Sequence, residues 1–75
     1  MWTQETQDIS RKHFEEMSFV CRDKKVWCKH YSRRFAYMHD HDVIAGEYQL
    51  YTPDGELMDR FESIDAWLAA GWVLD

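Results

Sequence analysis

Tyr51-Thr52-Pro53-Asp54-Gly55-Glu56-Leu57 reads as a hairpin turn. Proline presets φ for the second position of a type I turn, aspartate follows, and Gly55 accepts the left-handed backbone of a bulged three-residue loop. Working outward, Thr52 is expected opposite Glu56, Leu50 opposite Met58 and Tyr48 opposite Arg60, with Tyr51, Leu57 and Phe61 sharing the other side. Both sides are partly apolar, so the hairpin is expected to touch something on each. Downstream, Ser63 stands where a short helix would be capped, and Ile64, Trp67 and Leu68 fall at i, i+3 and i+4. Gly71 is the expected residue after that helix. Trp72-Val73-Leu74 then folds back onto the core or adds an edge strand.

Upstream of the hairpin the hydrophobic period changes twice. Residues from about Gln4 to Met17 read as an amphipathic helix capped by Thr3 or Thr6, with Trp2, Ile9, His13 and Met17 on one face and Phe14 at its edge. Opposite charges four residues apart, as in Asp8 with Lys12 and Arg11 with Glu15, support it. From Ser18 to His39 the period is near two and the residues favour strands. A turn at Lys24-Lys25 would set Cys21 opposite Cys28 and Phe19 opposite His30. A second break falls near Ser32-Arg33-Arg34, and Asp40 to Gly46 is expected to be a loop. The order helix, strands, helix predicts one α+β domain spanning residues 1–75, a small antiparallel sheet of three to five strands with the N-terminal and the short C-terminal helix on one face.

Composition bounds what such a domain does. A 75-residue chain buries only about 60% of the surface its unfolded form exposes, which leaves little room for a deep pocket beside a core and excludes a large cofactor-dependent enzyme. Four each of Trp, Tyr and Phe supply bulky core material, so disorder is not expected despite the negative mean hydropathy. The N-terminal residues have neither the basic nor the apolar region of a signal peptide, and the longest apolar stretch, Ala66 to Leu74, is far short of the roughly 20 residues that cross a bilayer. Two cysteines are too few for a disulfide framework. The expectation is a cytoplasmic protein with no membrane contact.

Charge is unevenly spread. Residues 1–21 carry two basic side chains against four acidic, residues 22–34 six against one, and residues 35–75 one against nine, for a net charge of −5. Such a split gives a dipolar surface. The simplest use of it is internal: basic strands beside the acidic hairpin would make Lys and Asp/Glu cross-strand neighbours.

Three constellations bear on chemistry. Cys21, Cys28 and His30 with His39 or His41 form the one metal-ligand set, but Cys-x6-Cys is longer than a zinc-knuckle spacing and no Cys-x2-Cys is present, so half-buried thiols are the preferred reading. His39-Asp40-His41-Asp42 has no nucleophile elbow, phosphate loop or HExxH beside it, and an enzyme is not expected. Lys25, Trp27, Lys29 and Tyr31 alternate onto one strand face and, with Arg33 and Arg34, resemble a surface that grips single-stranded RNA or DNA by phosphate contact and base stacking. A pI near 5.2 weighs against that reading, as does the ordinary habit of lysine stems covering rings.

The acidic C-terminal part suggests a different use. Asp40, Asp42, Glu47, Asp54, Glu56, Asp59 and Glu62, with Tyr48 among them, present a phosphate-like row that a nucleic-acid-binding protein would accept. Together with surplus aromatics this favours a non-catalytic protein-interaction module without cofactor, a small regulator or inhibitor of the size phages and mobile elements encode. Its expected target is a polymerase, a nuclease or a CRISPR surveillance complex. Unpaired sheet edges also admit a homodimer.

Overall fold

Thr3 starts the first helix, α1 (Gln4–Glu15): its hydroxyl accepts from the Thr6 N–H at 3.2 Å. The computed structural model describes residues 1–75. The helix ends two residues earlier than its hydrophobic period suggests. Met17 turns into the left-handed region (φ 53°), its N–H bonds the Phe14 carbonyl and the Ser18 N–H bonds that of His13, a Schellman closure with methionine in the position glycine favours.

The helix also buries a different face. Ser10 and Phe14 point inward, whereas Ile9 is 53% exposed and His13 and Met17 lie outside. Phe14 packs edge-on against Trp67 and tilted against Phe19. Ser10 Oγ accepts the Leu74 N–H at 3.0 Å. Docking against the chain's C-terminal strand therefore set the rotation of α1, and Phe14, at the margin of the apolar stripe, became its centre.

The remaining elements are β1 (Lys25–His30), β2 (Phe35–His39), α2 (Asp40–Ile44), β3 (Tyr48–Tyr51), β4 (Leu57–Phe61), α3 (Ile64–Ala69) and β5 (Trp72–Leu74). They form an α+β fold with a five-stranded antiparallel sheet in the order β4-β3-β2-β1-β5. Val26 and Cys28 of β1, Ala36 and Met38 of β2 and Leu50 of β3 meet Phe14, Val43, Trp67 and Leu68 from the helices in one core cluster, completed by Trp72 and Val73. Ser63 Oγ caps α3 by accepting from Ala66 N–H, and Gly71 follows it as expected.

Four local expectations change. The turn before β1 centres on Asp23-Lys24, both with positive φ, and Arg22 and Lys25 exchange backbone bonds of 2.9 Å across it. No strand precedes it beyond that single bridge, so Cys21 does not face Cys28, nor Phe19 His30. The C-terminal strand β5 takes the place beside β1, with Cys28 opposite Leu74 and His30 opposite Trp72. Second, β1 stops at His30, which leaves Tyr31 in the following turn rather than beside Lys29. Third, Asp40–Ile44 is a helical turn and not a loop; Val43 is its only buried residue, too little to register as a period. Fourth, the Pro53-Asp54-Gly55 turn forms, with Thr52 N–H on the Glu56 carbonyl, but Met58 is an extra residue in β4. Leu50 consequently pairs with Asp59 and Tyr48 with Phe61, and Phe61 moves to the Tyr48 side, as any one-residue slip requires.

Both sheet edges are modified. Helix α1 covers β5 through Ser10, and on β4 the bulge is joined by Asp59, whose carboxylate accepts the Arg60 N–H at 2.8 Å. These are devices that discourage strand addition at a sheet edge. No helix is long and apolar enough to cross a membrane.

The two thiols differ sharply. Cys28 is wholly buried, and burial, reinforced by Asp75, pushes its thiol far above the ordinary cysteine value. Cys21 is exposed and raised more modestly, by desolvation and then by Asp40. A thiol-disulfide reagent is expected to modify one cysteine of the native protein, faster as the pH rises, and the second only in denaturant. Two fast equivalents in the native state would contradict this core.

Candidate functional site

Strand alternation puts Val26, Cys28 and His30 in the core and turns Lys25, Trp27 and Lys29 to the opposite face of the sheet. Register then decides their company. Lys25 lies opposite His39, Trp27 opposite Tyr37 and Lys29 opposite Phe35, while Tyr37 also pairs with Tyr51 of β3. The rings form a connected array: Trp27–Tyr37 centroids are 5.2 Å apart, Tyr37–Tyr51 5.6 Å and His39–Tyr51 4.7 Å. Tyr37 is only 5% exposed within it, and its hydroxyl approaches Gly55 at the hairpin tip. Phe35, at 52% exposure, offers the most accessible ring.

The cations on this face have no carboxylate partners. Every ion pair in the protein involves Arg11, with Asp8 and Asp65, or His41, with Asp40 and Asp42. The sheet order explains why: β1 lies between β2 and β5, and the acidic β3–β4 hairpin is at the far edge. The cross-strand Lys–acid pairing expected from sequence does not form. Lys25 instead sits over the Tyr37 ring at 4.9 Å and Lys29 over Trp2 at 5.4 Å, so the lysine stems do cover rings. Of the other basic-segment residues, Tyr31 stacks on His30 at 4.2 Å, Arg34 lies over Trp72, and Arg33 occupies the β1–β2 turn with φ 68°.

The acidic residues do not share one face. Glu47, Tyr48 and Glu62 meet around a shallow depression with Arg60 and Phe61, at the open end of the β3–β4 hairpin. Asp54 and Glu56 lie at its turn, a strand length of about 13 Å away. Asp40 and Asp42 flank His41 on α2, and Asp59 is engaged by the Arg60 N–H.

The suggested metal set is likewise dispersed. Cys21 is outside the sheet, Cys28 is in the core, and His39 is in the ring array on the opposite face. His30 is committed twice over: Nε2 donates to the Ala70 carbonyl at 2.7 Å, and Nδ1 accepts from the Ser32 N–H at 3.1 Å. No three His, Cys, Asp or Glu side chains converge in an arrangement able to hold a metal ion.

A second concavity lies beside α1. Between α1, the segment after it and the ends of β1 and β5 lies a groove of about 240 Å3 whose apolar lining is Ile9, Phe19, Val20, Trp27 and Leu74, with His13, Lys29 and Asp75 among its polar residues. Val20 is 76% exposed on its rim. The signal was present in the sequence, since Ile9 and His13 belong to the stripe read as the core face of α1. What the period could not reveal was that the stripe lines an open groove. No family model, curated protein or solved structure matches the chain.

Proposed function

We propose that the chain is a non-catalytic protein-interaction module, a small regulator or inhibitor that docks onto a complex handling nucleic acid. The observation that carries this reading is the open apolar groove, in which Ile9, Val20 and Trp27 present large apolar surface beside the exposed Met17. Aromatic and aliphatic anchors in a concavity are what interaction hot spots are made of. The net charge of −5 and the exposed acids Glu47, Asp54, Glu56 and Glu62 would steer the module toward a basic partner such as a nucleic-acid-binding groove.

The test uses tagged protein recovered from its native host. Val20→Glu and Ile9→Glu place charge at exposed positions and are expected to leave the circular dichroism and melting temperature unchanged. Each should weaken capture of the partner by about thirty-fold, the loss of one hot spot. Glu47→Lys, Glu56→Lys and Glu62→Lys combined should slow association and reduce its salt dependence; Asp59 is left alone because it caps a backbone N–H. Folded groove variants that retain the same partner at the same affinity would overturn the proposal.

A further inference from the structure

Of the basic segment, residues 22–34, the protein-docking reading uses only Trp27 and Lys29. We infer that the sheet face carrying Lys25, Trp27, Lys29 and Phe35 binds single-stranded nucleic acid, at a site that adjoins the groove through Trp27 and Lys29. Lys25 and Lys29 bracket Trp27 on one strand, and Phe35, Tyr37 and Tyr51 continue the platform across the neighbouring strands. The two lysines stand about 13 Å apart along β1, on either side of a ring on which a base can stack. Phe35, opposite Lys29, offers a second accessible ring. Tyr37, nearly sealed, supports the others from below.

Charge complementarity selects the ligand. Neither lysine is paired with a carboxylate, and both ammonium groups lie over rings, so phosphate oxygens are the partners the face lacks. A ligand combining regularly spaced anions with flat π surfaces matches that pattern; a purely acidic peptide would leave Trp27 and Phe35 without stacking partners. The overall negative charge opposes such binding at long range, but salt screens charges separated by more than about 10 Å at 0.1 M. The acids of the β3–β4 hairpin lie beyond β2; Asp75, whose N–H bonds the Trp27 carbonyl, is the local acid and makes no ion pair with either lysine.

Anisotropy of a labelled oligothymidylate and an oligouridylate of about ten nucleotides tests the inference. Two phosphate contacts predict a log–log salt slope of about −1.4, hence an affinity loss of roughly seven-fold between 50 and 200 mM salt. Lys25→Gln and Lys29→Gln, which keep most of each stem, should each lower the slope by about 0.7. Phe35→Ala, at an exposed position, should weaken binding about ten-fold without altering the fold. Phe35 is not part of the groove lining, so Phe35→Ala should leave capture of the protein partner intact while weakening oligonucleotide binding, and the two readings can fail independently. Absence of binding by folded protein at low salt, or a slope indifferent to both lysine changes, overturns the inference. So does a result in which the face variants lose a protein partner and no oligonucleotide binds.

Discussion

His30→Ala is expected to destabilise the protein by about 3 kcal/mol, the combined cost of a cavity and of buried groups left without partners. The stability of a chain this size is on the order of 4–11 kcal/mol, so the loss is a large share of the whole. His30 is 6% exposed at the end of β1, packs edge-on against Trp72 at 4.9 Å, and ties the last turn of α3 to the β1–β2 loop through Ala70 and Ser32. Its tautomer follows from those partners: a carbonyl can only accept, so Nε2 carries the proton, and Nδ1 receives the Ser32 N–H. Thermal melts should show a fall of about 15 °C. His30→Phe restores the volume but neither hydrogen bond, and should recover only part of the loss. A melting temperature unchanged in His30→Ala would mean that this junction does not hold the sheet and α3 together.

Gly71→Ala should cost a similar amount, about 3 kcal/mol, for reasons of space and backbone. Gly71 has φ +100°, and a Cβ there would meet Cδ1 and Cε1 of Tyr31 and lie 2.6 Å from Nε2 of His30. Tyr31 is half-exposed and can swing aside; His30 cannot move without giving up Ala70. Adding Tyr31→Ala should therefore recover only the part of the loss due to the tyrosine ring. Because Gly71 also offers its carbonyl to Trp2 Nε1 at 2.8 Å, the change disturbs the seat of the N-terminus. Combined with His30→Ala, the two effects should sum to less than their separate values, since the second substitution removes the atom the first collides with. Urea unfolding of the single and double variants measures this directly, and simple additivity would show that the two residues do not share the junction.

Both substitutions act on a junction whose parts are visible in the sequence and whose meeting is not. Gly71 was recognisable as the residue after a helix, and Ser63 as a cap, because each is a local demand of the backbone. His30 reads in sequence as a metal ligand, since sequence shows an imidazole at a strand position but not the carbonyl, forty residues away, that occupies its nitrogen. The groove is illegible in the sequence for a related reason. Ile9 and His13 share a stripe of α1 that is not its buried face, because rotation about the helix axis is set by what the helix docks against.

The sequence by itself determined α1, α3, the β3–β4 turn, the cap at Ser63 and the α+β order, all of which depend on interactions within a few residues. It also separated the charges, placing six of the nine basic residues within residues 22–34. Only the tertiary structure decided which strands are neighbours, and that choice changed the significance of the charges. With β5 and β2 flanking β1, the lysines were left without acids and beside rings. The bulge at Met58 and the placement of β5 against β1 involve residues that meet only when the chain folds. Local propensity cannot rank such pairings, because their free energy lies in the burial of side chains far apart in sequence.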